Sequence, residues 1–379
     1  MSFRGSVESL VLSAKEESDR IGVLDVLRGI ALLGMFLVHF SDRAYDTAGV
    51  GDVYKWIVYL FFEERFWAMF GILFGVGFAI QFRRAEARGD PYIAKYLRRM
   101  AALFVFGFIA HAVFGFNVLL AYAVWGIPLI LFRRWSPRAL LVAVIVSAAS
   151  GYIYSGARHL YRGASVDSTT ASDSRFLEEN KAEQQSTSYA TVFKARLKHM
   201  RWFYAQWFSF LPVNTLTLFL LGLLGLRLGI FDRPEQHRRL IVGLMIFGAV
   251  SWALAWWVLP NGYGLIRTMW LTFTYMGAVL LLVAHDRRWL DRLAACGYAG
   301  RMALTNYMIQ IAILDLLFSE YALGIKIHPL VGLVMAIALF LLDAAVSKWW
   351  LSRYRFGPLE WIWRSVTYWR IQPLSIQPV

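Results

Sequence analysis

The chain has a single cysteine, Cys296, among 379 residues. One thiol excludes an intramolecular disulfide and any cysteine-cluster metal site. Charge is also scarce: 17% of residues are Asp, Glu, Lys or Arg, where a soluble domain carries about a quarter. Acidic residues are the scarcer sign, 25 against 39 Lys and Arg, which leaves a formal charge of +14. Of the seven histidines only His39 and His111 lie in apolar surroundings, so a zinc site lacks ligands and no metal is expected. No H-E-x-x-H, P-loop or G-x-S-x-G pattern occurs, which removes three common hydrolytic and nucleotide-driven chemistries. No internal repeat is evident, so the inverted-repeat mark of a secondary transporter is missing. Residues 1–19 are polar and mixed in charge, which is not the pattern of a cleavable signal.

What is present is apolar. Hydrophobic residues make up 58% of the chain and aromatics 16%, arriving in runs of about twenty, the length that spans hydrocarbon as a helix. The expected fold is an all-α polytopic membrane protein of ten spans. Their limits are near 21–41, 54–82, 98–115, 117–133, 138–157, 206–229, 239–259, 265–285, 302–320 and 329–351. Glu63, Glu64 and Arg65 interrupt the second, which predicts a broken span there. Basic residues concentrate in alternate connections, 83–99, 133–138, 233–239, 286–292 and the tail after Lys348. That is the pattern of topology determinants, not of a nucleic-acid surface, and it puts both termini in the cytoplasm of an inner-membrane protein. The chain then divides into a cytoplasmic segment (1–20), five spans (21–157), an external loop (158–205), five spans (206–351) and a cytoplasmic tail (352–379).

The long loop ends in ATVFKARLKHMRWFYAQWF, an amphipathic helix expected in the headgroup plane or as a cover over an outward-opening site. Gly71 and Gly75, then Gly222, Gly225 and Gly229, read as close-packing positions between helices.

The first span, Arg20 to Phe40, organises the candidate site because it carries Asp25, Arg28 and His39. Ionisable residues in a bilayer are costly and mark functional positions by default. Arg28 and His39 are eleven residues apart, roughly 16 Å along a helix. With the arginine at one interface, the imidazole reaches the middle of a bilayer about 30 Å thick. His111, Asn117, Asn306, Gln310, Asp315 and Asp343 are further polar groups in apolar runs. One internal cluster fed by spans one, three, nine and ten would satisfy them. A purely structural amide network is an equal reading for Asn306 and Gln310. Arg98, Arg99 and Arg301 enter their spans from the same side as Arg28, forming a basic mouth suited to phosphate. Ordinary positive-inside charge is the alternative for each of them.

Several stretches carry a resemblance: LDVLRGIALLGMFLVH at 24–39, FWAMFGILFGVGF at 66–78, LRRMAALFVFGFIAH at 97–111, GRMALTNYMIQ at 300–310 and FGPLEWIWR at 356–364. Together they resemble the YeiB-like family, domain of unknown function 418. The first helix is also similar to transmembrane acyltransferases, including the heparan-glucosaminide acetyltransferases and the acyltransferase-three group; in the latter an Arg, ten residues and a His recur, the spacing of Arg28 and His39. The chain departs from YeiB-like relatives at His39, where Asn is expected, and at Asn117-Val118-Leu119, where Asp-Ile-Leu is expected.

The resemblance implies acyl transfer from acyl-CoA, with acetyl-CoA as co-substrate, to a hydroxyl or amine of an envelope sugar, lipid or secreted metabolite. His39 then acts as base or acyl-group handler, with His111 as a second candidate; because a carboxylate neighbour raises a buried histidine's pKa, Asp315 or Asp343 is expected to poise it. Asn306 and Gln310 stabilise the oxyanion, Arg28 with Arg98, Arg99 and Arg301 holds coenzyme A, and Asn117 and Asp315 meet the acceptor. Expected partners are membrane lipid and the acceptor, a small molecule, glycan or lipid, with no nucleic acid; an oligomer is compatible. Two other classes stay open: an exporter of a small amphiphile using the same polar cluster, and a structural or signalling membrane protein.

Overall fold

A computed structural model of the chain describes residues 2–45, 49–115, 117–162, 176, 178–207, 211–258 and 265–376, with side chains over 22–45, 49–115, 117–150, 176, 178–202, 215–254 and 270–376. The described residues are helical, joined by short turns, and form no β-strand beyond an isolated bridge between Tyr354 and Ser375. In chain order the helices are α1 (Ser2–Arg43), α2 (Val50–Phe61), α3 (Arg65–Ala87), α4 (Tyr92–Phe114), α5 (Leu119–Gly126), α6 (Leu129–Phe132), α7 (Pro137–Arg162) and α8 (Tyr189–Trp207). They continue as α9 (Leu211–Arg227), α10 (Arg238–Val258), α11 (Leu265–His285), α12 (Arg288–Arg292), α13 (Ala294–Arg301), α14 (Ala303–Phe318), α15 (Pro329–Leu351) and α16 (Pro358–Tyr368).

Proline sets several boundaries, because its fixed φ suits the start of a helix and its missing N–H is no loss there. Pro91 caps α4, and Pro137, Pro329 and Pro358 open α7, α15 and α16. Pro128 does the opposite between α5 and α6, where it ends a helical run. The expected span over 117–133 is therefore two pieces. The break expected at 63–65 is present: α2 ends at Phe61, Glu64 adopts φ 64°, and α3 starts at Arg65.

Among the described residues four segments are long and apolar enough to cross a membrane: Gly22–Arg43, Val50–Ala87, Tyr92–Phe114 and Pro329–Leu351. A fifth arises if α13 and α14, bent by 89°, count as one. Pro137–Ser150, Thr215–Arg227 and Trp270–His285 are shorter apolar helices. This is a helical membrane protein.

Helix α1 is the axis of the bundle. Leu27, Ala31, Leu32, Phe36 and Phe40 are fully buried in it, against α13, α15 and α3. Its approach to α13 is backbone to backbone. A Cβ on Gly29 would fall 1.9 Å from the Cys296 carbonyl oxygen, and one on Gly300 would fall 1.8 Å from the Asp25 carbonyl oxygen. The same device joins α3 to α9, where Gly75 faces Phe219 and Gly222 faces Ile72, each 2.0 Å from the neighbour's carbonyl oxygen. Gly229, expected as a packing residue, instead ends α9 with φ +78°, a left-handed turn that favours glycine. Helices α10 and α11 pair as a hairpin resting on α3 through α11, and α16 lies across α4 and α14.

A side chain at Gly300 should force α1 and α13 apart. Gly300→Val is expected to destabilise by at least about 1–3 kcal/mol, the usual cost of overpacking. Gly243→Ala, with nothing within 4 Å of its Cβ, should leave thermal unfolding in detergent unchanged. Equal melting temperatures for both variants would contradict this packing.

Candidate functional site

The site begins at the break between α13 and α14. Met302 leaves the helical conformation at φ −108°, ψ 34°, and the two helices diverge at 89°. A bend of that kind orphans backbone groups that a membrane protein must satisfy internally. Two side chains do so. The Asn306 amide donates to the Ala299 carbonyl at 3.0 Å. Glu360, from α16, accepts from the Leu304 N–H at 2.7 Å, the Thr305 N–H at 3.0 Å and the Thr305 hydroxyl at 2.5 Å. The Leu359 N–H returns a bond to the same hydroxyl at 3.1 Å. Burial pushes the Glu360 carboxyl above its ordinary value, against the bonds from Thr305 and Leu304 that pull it down.

Beside this junction is a cavity of about 310 Å³. Its mouth carries Arg28 of α1, Arg99 of α4, Arg301 of α13 and Arg364 of α16, with Gln81 of α3. Its interior is apolar, reaching Met35, Phe70, Leu73 and Leu103 and ending on Val118 and Leu119 at the start of α5. Arg28 to Met35 is seven residues of α1, a depth of roughly 10 Å. A second, more polar space of about 350 Å³ adjoins it, sharing Arg28, Arg99 and Arg364 and adding Arg84, Arg88 and Lys95.

The arginines are held differently. Arg28 pairs with Asp25 at 2.5 Å. Arg99 lies flat on Trp363, 3.6 Å from the ring centre, and the Trp363 indole donates to the Arg99 carbonyl at 2.8 Å. Arg364 stacks on Phe356 at 4.6 Å. Arg99, Arg301 and Arg364 form no ion pair among the described residues. Three cations outside any ion pair at the rim of a largely apolar cavity outnumber the one carboxylate that lines it, Glu360, and make it receptive to an anion. Deeper in, Tyr307 accepts from the Val118 N–H at 3.3 Å. Its own hydroxyl proton has no acceptor among the described residues.

The other expected site residues lie elsewhere. Arg98 does not line the cavity: its Nε donates to the Ala94 carbonyl at 3.3 Å, and its guanidinium lies 5.9 Å from the Trp369 ring. Asn306 and Gln310 face α15, donating to Ser347 at 2.9 Å and Asp343 at 3.1 Å. Residues four apart on each of two antiparallel helices make two rungs, so these amides are engaged between helices. Asn117 donates to the Gly107 carbonyl at 3.0 Å and accepts from Leu119 at 3.1 Å, closing the α4–α5 turn. His39 is half-buried, shares the face of Met35 one turn further along α1, and does not line the cavity. His111 is buried, 6.2 Å from His199 of α8.

Asp315 lies at the opposite end of α14 from the cavity. It pairs there with Arg196 of α8, and Ser319 (2.6 Å) and Tyr321 donate to it. Arg196 also donates to the Val113 carbonyl, so α8 is bolted to α4 and α14 rather than only lying beside them. Neither Asp315 nor Asp343 contacts His39, which removes the expected carboxylate partner. Glu360, Arg364, Trp363 and Tyr307 were not singled out in the sequence, although all four lie in the two stretches, 300–310 and 356–364, that carry the most specific resemblance.

Comparison with known proteins gives the chain a family. Residues 225–370 match the family described as protein of unknown function (DUF418), and residues 20–193 match the heparan-alpha-glucosaminide N-acetyltransferase catalytic family. The uncharacterized protein YxaH of Bacillus subtilis is 31% identical over 94% of this chain and 96% of its own length. An uncharacterized 39.9 kDa protein from the amylase 3′ region of Bacillus acidopullulyticus is 30% identical over 95% and 97%. YeiB of Escherichia coli is 40% identical over 19% of each chain. No solved structure matches the chain.

The Arg196–Asp315 pair, with both side chains 6% exposed, makes a test of the bolt. Asp315→Ala leaves a buried guanidinium without its partner and should cost about 3–5 kcal/mol. The double variant Arg196→Met, Asp315→Leu should recover most of that loss in thermal unfolding. A double variant no more stable than the single would show that the pair does not hold α8.

Proposed function

The chain belongs to the YeiB-like family, DUF418, and on that premise we propose that it is a membrane acyltransferase using acyl-CoA as donor. The observation that carries the reading is the cavity of about 310 Å³ with four arginines and one carboxylate in its lining and a largely apolar interior. It lies in a chain whose residues 20–193 match an acetyltransferase catalytic family. Coenzyme A has this polarity: phosphates at one end, a thioester at the end of a slender arm. Arg28, Arg99, Arg301 and Arg364 hold the phosphates, with Arg84, Arg88 and Lys95 of the adjoining space taking those that stay outside. Guanidinium geometry favours such contacts.

In this reading the thioester reaches the Tyr307 and Met35 level. The acceptor hydroxyl or amine gives its proton to His39 as its oxygen or nitrogen bonds the acyl carbon. The carbon–sulfur bond breaks, and the proton passes on to the departing thiolate. Tyr307, whose hydroxyl proton is unengaged among the described residues, donates to the carbonyl oxygen as negative charge develops on it. It replaces Asn306 and Gln310 in that role, since both amides are occupied between α14 and α15. Ten crossings with the 158–205 loop outside, and both termini in the cytoplasm of the inner membrane, put the basic mouth on the side where acyl-CoA is made. The acceptor is an envelope sugar, lipid or secreted metabolite arriving from the other side.

A second reading, export of an anionic amphiphile, draws on one observation: no histidine lines the cavity among the described residues. It requires substrate movement without covalent change.

Titration of purified protein with acetyl-CoA separates these readings. Arg301→Ala should weaken binding by about tenfold or more, the loss of a charge-assisted contact, while Arg98→Ala should leave it unchanged. Tyr307→Phe should slow transfer by about a hundredfold without altering affinity, and His39→Ala should abolish transfer with binding retained. Failure of acetyl-CoA to bind a folded protein would remove the acyltransferase reading.

A further inference from the structure

Glu360 is the only acidic side chain lining the basic cavity among the described residues. It stands on the same helix face as Arg364, four residues on, at a spacing that lets a carboxylate and a guanidinium meet. They form no ion pair; Arg364 turns to Phe356 instead. The reason is the grip of α14 on the carboxylate. Three donors of Leu304 and Thr305 hold its two oxygens, and the Leu359 N–H locks the Thr305 hydroxyl in turn. The backbone at Gly357 closes the other side, where a Cβ would fall 2.2 Å from a Glu360 oxygen. The carboxylate is thus fixed at the cavity wall without pairing with any of the cations that share it.

We propose that Glu360 is the charge-selectivity residue of this cavity, a built-in anion that limits how much negative charge the surrounding arginines accept. The proposal deepens the functional reading above and rests on the cavity being an anion site. An anion entering there meets Arg28, Arg99, Arg301 and Arg364 as attraction and Glu360 as repulsion. Coulomb energy scales with the product of charges, so the repulsion grows with each charge on the ligand. A neutral ligand of similar shape does not feel it. Glu360 therefore works in two ways: its hydrogen bonds cap α14, and its charge grades anions. A cap alone predicts no grading.

The two roles separate in Glu360→Gln, whose carbonyl still accepts from the Leu304 and Thr305 N–H groups but carries no charge. The experiment titrates inorganic pyrophosphate, coenzyme A and neutral pantetheine into wild type, Glu360→Gln and the charge-retaining Glu360→Asp in detergent. Expected are roughly tenfold tighter pyrophosphate binding in Glu360→Gln, a comparable gain for coenzyme A, no change for pantetheine, and wild-type grading in Glu360→Asp. Glu360→Met, which keeps the length of the side chain without its charge, gives the same comparison if the glutamine variant does not fold. Unchanged or weaker pyrophosphate binding, an equal gain for pantetheine, or no saturable pyrophosphate binding in any variant would overturn the proposal. If pyrophosphate follows the expectation while coenzyme A binds neither protein, the selectivity stands and the donor assignment falls.

Discussion

A helix broken inside a bundle leaves N–H and C=O groups that lipid cannot satisfy, and the fold around the cavity answers that constraint. The carboxylate of Glu360 takes the first donors of α14, and the amide of Asn306 takes the Ala299 carbonyl. Each unmade bond of this kind would cost about 1–3 kcal/mol in a buried setting. The bend is consequently tied to α16, and α16 is tied to α4 by the stack of Arg99 on Trp363. Cavity, bend and terminal helix form one mechanical unit. Without Glu360 the first N–H groups of α14 would lose their acceptor.

The two ends of the molecule are built on different electrostatics. At the cavity end, arginines from four helices converge with little carboxylate to oppose them. At the other end, a buried carboxylate, Asp315, gathers Arg196, Ser319 and Tyr321 into a closed set. Burying a charge is expensive unless it is paired and hydrogen-bonded, so the second arrangement is self-sufficient. The first is incomplete by itself. That asymmetry is the ground for proposing the ligand site at the end with Arg301 and Arg364, while the closed set around Asp315 ties α8 to α4 and α14.

Backbone-level packing supports both ends. Gly29 and Gly300 bring α1 and α13 into contact, and Gly75 and Gly222 do the same for α3 and α9. With no hydrophobic drive between helices in lipid, such close approach supplies the dispersion contacts that hold a bundle together. It also fixes Arg28 and Arg301 on either side of the α1–α13 junction, so the spacing of the basic mouth depends on residues with no side chain.

Apolar runs of helical length, scarce charge and basic connections leave little but a helical membrane bundle, so the class of the protein is legible from composition alone. The sequence also marked the break at Glu63–Arg65, the importance of α1, and the arginines Arg28, Arg99 and Arg301, because composition and spacing act locally. Tertiary structure alone decided which polar groups share a space. Asn306 and Gln310 read equally as chemistry or as packing until Ser347 and Asp343 appeared opposite them. Asp315 went to Arg196, 119 positions earlier in the chain, and not to His39. Glu360 and Thr305, 55 positions apart, meet only because α13 and α14 bend. A hydrogen bond between distant residues leaves no periodicity in either segment, so its existence is settled by how helices cross.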